Sequence, residues 1–146
     1  MDELDRKIVA ILEENGRASN ASVARQLGVS EGTVRRRLNR LIREGYIRVL
    51  AIPDPQRLGY ETEAIIGIQA DPGQLDAVAE ELAQMRETLW VATTTGAFDI
   101  FAWVVLPGSE QLADFLKNRV GTIPGVRRTE TFVSLGVKKR SLSLPV

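Results

Sequence analysis

The segment Val29-Ser30-Glu31-Gly32-Thr33-Val34-Arg35-Arg36-Arg37-Leu38-Asn39-Arg40-Leu41-Ile42-Arg43-Glu44-Gly45 decides how the chain is read. Its pattern is that of one helix. Ser30 suits the N-cap, where its hydroxyl accepts from an otherwise unpaired backbone N–H. Gly45 suits the residue after the last turn, where the backbone goes left-handed. At about 100° per residue, Val34, Leu38, Leu41 and Ile42 gather on one side. Arg36, Arg40 and Arg43 gather on the opposite side, flanked by Thr33 and Asn39, with Arg37 at the edge of that face. One face is expected to dock on a core and the other to meet an anion. A cationic helix face is usually only solvated, but the acids that normally interleave such a face are nearly absent here.

The preceding segment, Ser19-Asn20-Ala21-Ser22-Val23-Ala24-Arg25-Gln26-Leu27-Gly28, reads as a short helix with Val23, Ala24 and Leu27 apolar at helical spacing. A short helix, a glycine-bearing turn and an amphipathic helix make the helix-turn-helix pattern. In that motif the second helix enters the major groove of double-stranded DNA. Arginine forks match phosphate oxygens and guanine edges. The candidate DNA-binding residues are therefore Ser30, Thr33, Arg35, Arg36, Arg37, Asn39, Arg40 and Arg43.

Charge is distributed accordingly. The 146 residues carry no net charge, yet residues 25–48 hold seven Lys/Arg against two Asp/Glu. Residues 51–146 hold nine against twelve. The basic excess is local to the reading helix, as an electrostatic footprint for nucleic acid should be. With no cysteine and no histidine, disulfides, Cys/His metal sites and Cys/His nucleophile pairs are excluded. No metal and no cofactor is expected. The acidic start Met-Asp-Glu-Leu-Asp is unlike a signal peptide. No apolar run approaches the ~20 residues of a membrane span, so a cytoplasmic location and no membrane partner are expected.

Three helices are expected in residues 1–49, the first over 2–15 with Leu4, Ile8, Ile11 and Leu12 as its stripe. The β-branched and aromatic run 46–52 reads as a wing or exit strand. Pro53-Asp54-Pro55 stops it, and 50–61 forms a linker. Residues 62–146 change character. Strands are expected over 62–70, 88–95, 99–106 and 126–140, and helices over 71–86 and 109–120. Asp71-Pro72-Gly73-Gln74 reads as a capping-box start. The order βαββαβ is the ferredoxin-like arrangement, so the fold class is α+β: an N-terminal helix-turn-helix domain, winged-helix-like, and a C-terminal ferredoxin-like domain. The strand Ile100–Leu106 is apolar at both alternations, whereas two helices cover only one sheet face. The other face would lie bare, which points to sheet-to-sheet dimerisation, unless the 46–52 strand covers it within one chain.

The residues Leu4-Asp5 with Ile8 and Leu12, Asn15-Gly16-Arg17, Val23–Ser30, Thr33–Leu38 and Leu41–Ile47 together resemble the DNA-binding domain of the Lrp/AsnC (feast/famine) transcription regulators. The βαββαβ half, with its Gly96-Ala97-Phe98-Asp99 turn, resembles their ACT-like effector-binding and oligomerisation domain. The resemblance spans essentially the whole chain. It implies homodimers that present paired reading helices and assemble into tetramers, octamers or discs. It also implies an amino acid or related metabolite as effector, bound between dimers near the turn.

The residues agree with that implication. Gly96 lets the backbone approach a ligand, turn N–H groups can bind a carboxylate, and Asp99 can receive an ammonium. Thr94, Thr95, Gly96, Phe98, Asp99 and, more weakly, Ser134 are the candidate effector-binding residues. A plain hairpin, with Asp99 serving backbone donors, is the alternative. The expected function is a sequence-specific DNA-binding regulator modulated by a small metabolite, and not an enzyme. An architectural DNA-compacting protein without an effector is the alternative. Siroheme decarboxylases resemble this family too, but their chemistry uses histidines, which are missing here.

Overall fold

Each of the first three helices starts where a side chain can cap it. Helix α1 (Glu3–Glu14) is capped by Asp2, and Asp5 returns a bond to the Asp2 N–H, so a capping box closes. Helix α2 (Asn20–Leu27) is capped by Ser19 and ends at Gly28, φ 66°. Helix α3 (Glu31–Arg43) is capped by Ser30, whose Oγ accepts from the Thr33 N–H. It ends as the sequence suggests. Gly45 has φ 77°, Tyr46 N–H donates to Leu41 O and Gly45 N–H to Ile42 O, the paired bonds of a Schellman motif.

These elements come from a computed structural model that describes residues 1–142 and 144. The chain divides into two units. The first is Met1–Ile52, joined by the described residues from Arg140 onward, and the second is Pro53–Lys139. Residues 143, 145 and 146, the end of the expected 62–146 domain, lie outside the described residues.

In the first unit, Ile8, Val23, Ala24 and Val34 are buried together, with Leu4, Ile11, Leu12 and Leu27 packed around them. Leu41 is fully buried as well. Ile42, expected on this apolar face, is 44% exposed. It lies about 100° round the helix from Leu41 and so falls at the margin. The expected strand over 46–52 does not form, and residues 47–54 belong to no helix or strand. A β-branched run becomes a strand only when another strand takes its hydrogen bonds, and no described segment pairs with it.

The second unit is a four-stranded antiparallel sheet of β1 (Thr62–Ala70), β2 (Thr88–Thr93), β3 (Ile100–Leu106) and β4 (Val126–Val133), in the order β2-β3-β1-β4. Helix α4 (Leu75–Gln84) and helix α5 (Ser109–Asp114), which continues as a π-helical turn over Phe115–Val120, supply the crossovers. This is the ferredoxin-like βαββαβ arrangement that the sequence pattern indicates. Ala64, Ile66 and Ile68 from β1 and Ile100, Ala102 and Val104 from β3 are fully buried with Val78, Leu82 and Phe115 of the helices.

Two local expectations are corrected. Asp71 makes no side-chain cap, and Pro72–Gln74 forms a 3-10 turn instead. The Asp71 carboxylate lies 3.6 Å from Arg127. Strand β4 ends at Val133, not at residue 140, because its partner ends. Val133 pairs with Ala64, and Ser134 N–H makes the last bond, to Glu63 O.

The sheet face away from the helices carries an apolar patch, with the Arg128–Glu130 pair beside it on β4. Pairing places Ile65 beside Trp103 and Phe132, and Trp90 beside Trp103. Ile65, Trp90 and Phe132 are 43%, 52% and 46% exposed.

Candidate functional site

Helix α3 presents its arginines in two groups. Arg35 pairs along the helix with Glu31 at 2.5 Å. Arg37 reaches Asp2 at 2.5 Å and Asp5 at 3.0 Å, and Arg40 reaches Asp5 at 2.6 Å. Arg36 and Arg43 make no ion pair among the described residues, and both are exposed with Asn39. Arg36 and Arg43 are seven residues apart, hence nearly in line and ~10 Å apart along the axis. The outward stripe is thus Arg36, Asn39 and Arg43. Ser30 and Thr33 close the N-terminal turn on each other, hydroxyl to hydroxyl at 2.8 Å.

Arg40 does not stand with Arg36 and Arg43 as the helical wheel suggested. It is about 60° round from Arg43, and its long side chain reaches Asp5 on α1. Asp2 and Asp5 are the site residues that sequence reading missed. Two signals were available: Asp2 and Asp5 have capping-box spacing, and Asp5 falls on the apolar stripe of α1, one turn before Ile8. Asp5 is fully buried, the only charged residue so placed among the described ones. Burial pushes the Asp5 carboxyl up, but the Asp2 N–H, Arg37 and Arg40 outweigh it and the net shift is downward. The Arg37 hydrogen bond, with the Asp5 N–H, lowers Asp2 to about 2. Asp2 and Asp5 in turn raise Arg37 above its usual value.

The second candidate site is the turn between β2 and β3. Thr94 N–H donates to Asp99 O and Asp99 N–H to Ile68 O, which fixes the two ends. Asp99 Oδ2 accepts from the Ala70 N–H at 2.9 Å, Thr94 Oγ1 donates to Phe98 O, and Gln69 Nε2 donates to Ala97 O. Asp99 therefore serves a backbone donor with one oxygen. Between these ends the N–H groups of Thr95, Gly96, Ala97 and Phe98 donate to no acceptor among the described residues. Gly96 has φ 103°, which favours glycine, and nothing lies within 4 Å of a Cβ built there.

The Phe98 ring lies on the bare sheet face over Gly67. A Cβ on Gly67 would meet its Cγ at 2.8 Å. Phe98 also meets Phe101 and Phe132 edge-on, at 5.6 and 6.4 Å between centroids. Ser134 is not brought to the turn within one chain. It bonds at Glu63, whereas Asp99 bonds at Ile68 and Ala70, a strand distance of roughly 17–23 Å.

A capped helix-turn-helix with an outward cationic stripe, followed by a separate ferredoxin-like sheet unit with its own exposed turn, defines a DNA-binding regulator with a ligand-binding domain. Comparison with known proteins agrees. Residues 1–48 match the winged helix-turn-helix DNA-binding family, and residues 63–144 match the Lrp/AsnC ligand binding domain. The chain belongs to the Lrp/AsnC family of transcriptional regulators.

An HTH-type transcriptional regulator of Pyrococcus abyssi is 43% identical over 95% of this chain and 89% of its own length. The regulator FL11 of Pyrococcus horikoshii is 35% identical over 100% of this chain and 97% of its own. AsnC of E. coli superposes with a TM-score of 0.89 at 30% identity, covering 96% of this chain and 95% of that one. These relatives are regulators, not enzymes. Among the described residues no helix is long and apolar enough to cross a membrane.

Proposed function

We infer that this regulator is a homodimer joined through its bare sheet faces, that dimers assemble further into tetramers or octamers, and that an amino acid bound at the Thr94–Asp99 turn shifts that assembly and its DNA binding. The observation that carries the effector reading is the run of four unengaged N–H groups at 95–98. Free donors at a turn suit a carboxylate. The second oxygen of Asp99 is left for an ammonium. A regulator from Neisseria meningitidis with the same fold, TM-score 0.93 at 23% identity, has been crystallised as a complex with L-Met, which supports an amino acid as the class.

Ser134, remote within its own chain, joins this pocket only if another protomer supplies it. A ligand held between protomers favours one assembly over another and so shifts the equilibrium. Assembly sets how many paired α3 helices face the duplex, and the cytoplasm, where DNA and amino acids meet, is the place of action. Calorimetry with a panel of amino acids tests this on the wild type and Asp99→Asn. Asparagine keeps an acceptor for the Ala70 N–H but removes the charge. Binding of at least one amino acid, lost in the variant, is expected. Equal binding by both moves the site elsewhere, and none by the wild type favours either a different metabolite or the architectural reading.

A further inference from the structure

The reading helix carries five arginines, yet two of them are turned inward. Arg37 and Arg40 face a pair of carboxylates on α1, so the local charge is two against two. Asp5 is the centre of this arrangement. It is fully buried, it takes Arg37 on Oδ1 and Arg40 on Oδ2, and Oδ2 also closes the capping box. Asp2 adds its own Oδ2 to Arg37 while its Oδ1 caps α1. Arg40 is drawn in far enough that its Nε is buried without a partner. A buried carboxylate serving two guanidinium groups and a backbone N–H is costly to desolvate. Packing an apolar residue there would avoid that cost, so the cluster calls for a purpose beyond holding α1 to α3.

Binding to the DNA backbone counts charges. Each phosphate neutralised by a cation adds about 0.9 to the slope of log K against log salt, and this part of the affinity does not depend on sequence. A helix offering five free arginines would hold any duplex strongly. Sequence is distinguished by the few side chains that reach base edges. Withholding cations therefore weakens binding to every duplex alike and keeps the hold on unrelated DNA weak.

We propose that the Asp2–Asp5 pair is a brake on sequence-independent binding that withholds Arg37 and Arg40 from the DNA backbone and leaves contact to Arg36, Asn39 and Arg43. The proposal rests on α3 being the helix that meets DNA. Arg37 and Arg40 then act as internal counter-ions, and Asp5 is a positioning residue that touches no DNA.

The test uses the full-length protein and a random-sequence duplex, with binding measured across a salt series. Asp2→Asn is the main variant, because asparagine is itself a good N-cap and position 2 is exposed, so the helix start survives. It leaves one carboxylate against two guanidinium groups. The expected result is tighter binding to random duplex and a slope steeper by about 0.9 per reading helix engaged. Asp5→Asn should steepen it likewise, and the double variant by about 1.8 per reading helix engaged. A folded Asp2→Asn with an unchanged or shallower slope overturns the proposal. Arg36→Ala measured alongside separates the two levels. If it makes the slope shallower while the Asp variants do nothing, only this inference fails. If it too does nothing, the reading of α3 fails and the inference falls with it.

Discussion

Replacing Gly67 by alanine should damage the effector turn from across the sheet. A Cβ at that position would lie 2.8, 2.9 and 3.0 Å from three carbons of the Phe98 ring, where ordinary contact begins near 3.4 Å. The ring must therefore rise by ~0.6 Å or swing aside. Overpacking of this kind costs typically about 1–3 kcal/mol. Swinging aside instead gives up edge-to-face contacts with Phe101 and Phe132, each worth about 0.5–1.5 kcal/mol. Either route gives a loss of about 1–3 kcal/mol for the second unit, or roughly 4 °C or more in its transition.

Phe98 is also one residue from Asp99 and closes the run of free N–H groups, so amino-acid affinity should fall with stability. Denaturant melts followed by calorimetry read both quantities. Shortening the ring in Gly67→Ala/Phe98→Leu should recover part of the stability, because the clash partner is gone. A Gly67→Ala protein within 0.5 kcal/mol of wild type, a margin ordinary for surface changes, would refute the steric argument.

Three further outcomes follow from the same geometry. Gly32 is helical, without positive φ, and a Cβ there meets nothing within 4 Å, so Gly32→Ala should stabilise the first unit by about 0.5–1 kcal/mol, read by thermal melting. Asp2 and Asp5 are both shifted down in the folded state. The stability they contribute is present above the usual carboxylate pKa and is lost as pH falls through the folded values, for Asp2 between pH 3.8 and about 2. Acid melts of wild type and Asp2→Asn should converge towards the lower end of that range. Trp90→Lys or Phe132→Lys places a charge on the bare sheet face and should give monomers in sedimentation, whereas a dimer unchanged by either would exclude that face as the interface.

What was legible in the sequence was mostly local. The ends of α3 depend on Ser30 and Gly45, and both work through bonds to residues within five positions, so they can be read in order along the chain. Strands β1 and β3 announce themselves by composition, and βαββαβ order follows from counting. What was illegible depends on partners. The run 46–52 has a strand's residues but no strand beside it. The end of β4 is set by where β1 begins, and Gly136 alone, which suits a bulge as well as an end, does not mark it. A helical wheel places Arg40 outward because it records Cα directions, whereas a guanidinium about five bonds away takes its place from Asp5, 35 positions earlier. Chemistry alone groups Ser134 with Asp99, and the register separates them along β1. Gly67 gave no signal, since its need for a bare Cα comes from a ring 31 positions later.

We propose that α3 meets DNA through Arg36, Asn39 and Arg43. Fluorescence anisotropy of a labelled duplex, titrated across salt with wild type and with Arg36→Ala/Arg43→Ala, tests it most directly. Two lost phosphate contacts should make the salt slope shallower by about 1.8 per reading helix engaged, with folding unchanged because neither arginine makes an ion pair among the described residues. A double variant that binds with the affinity and slope of wild type would contradict the claim.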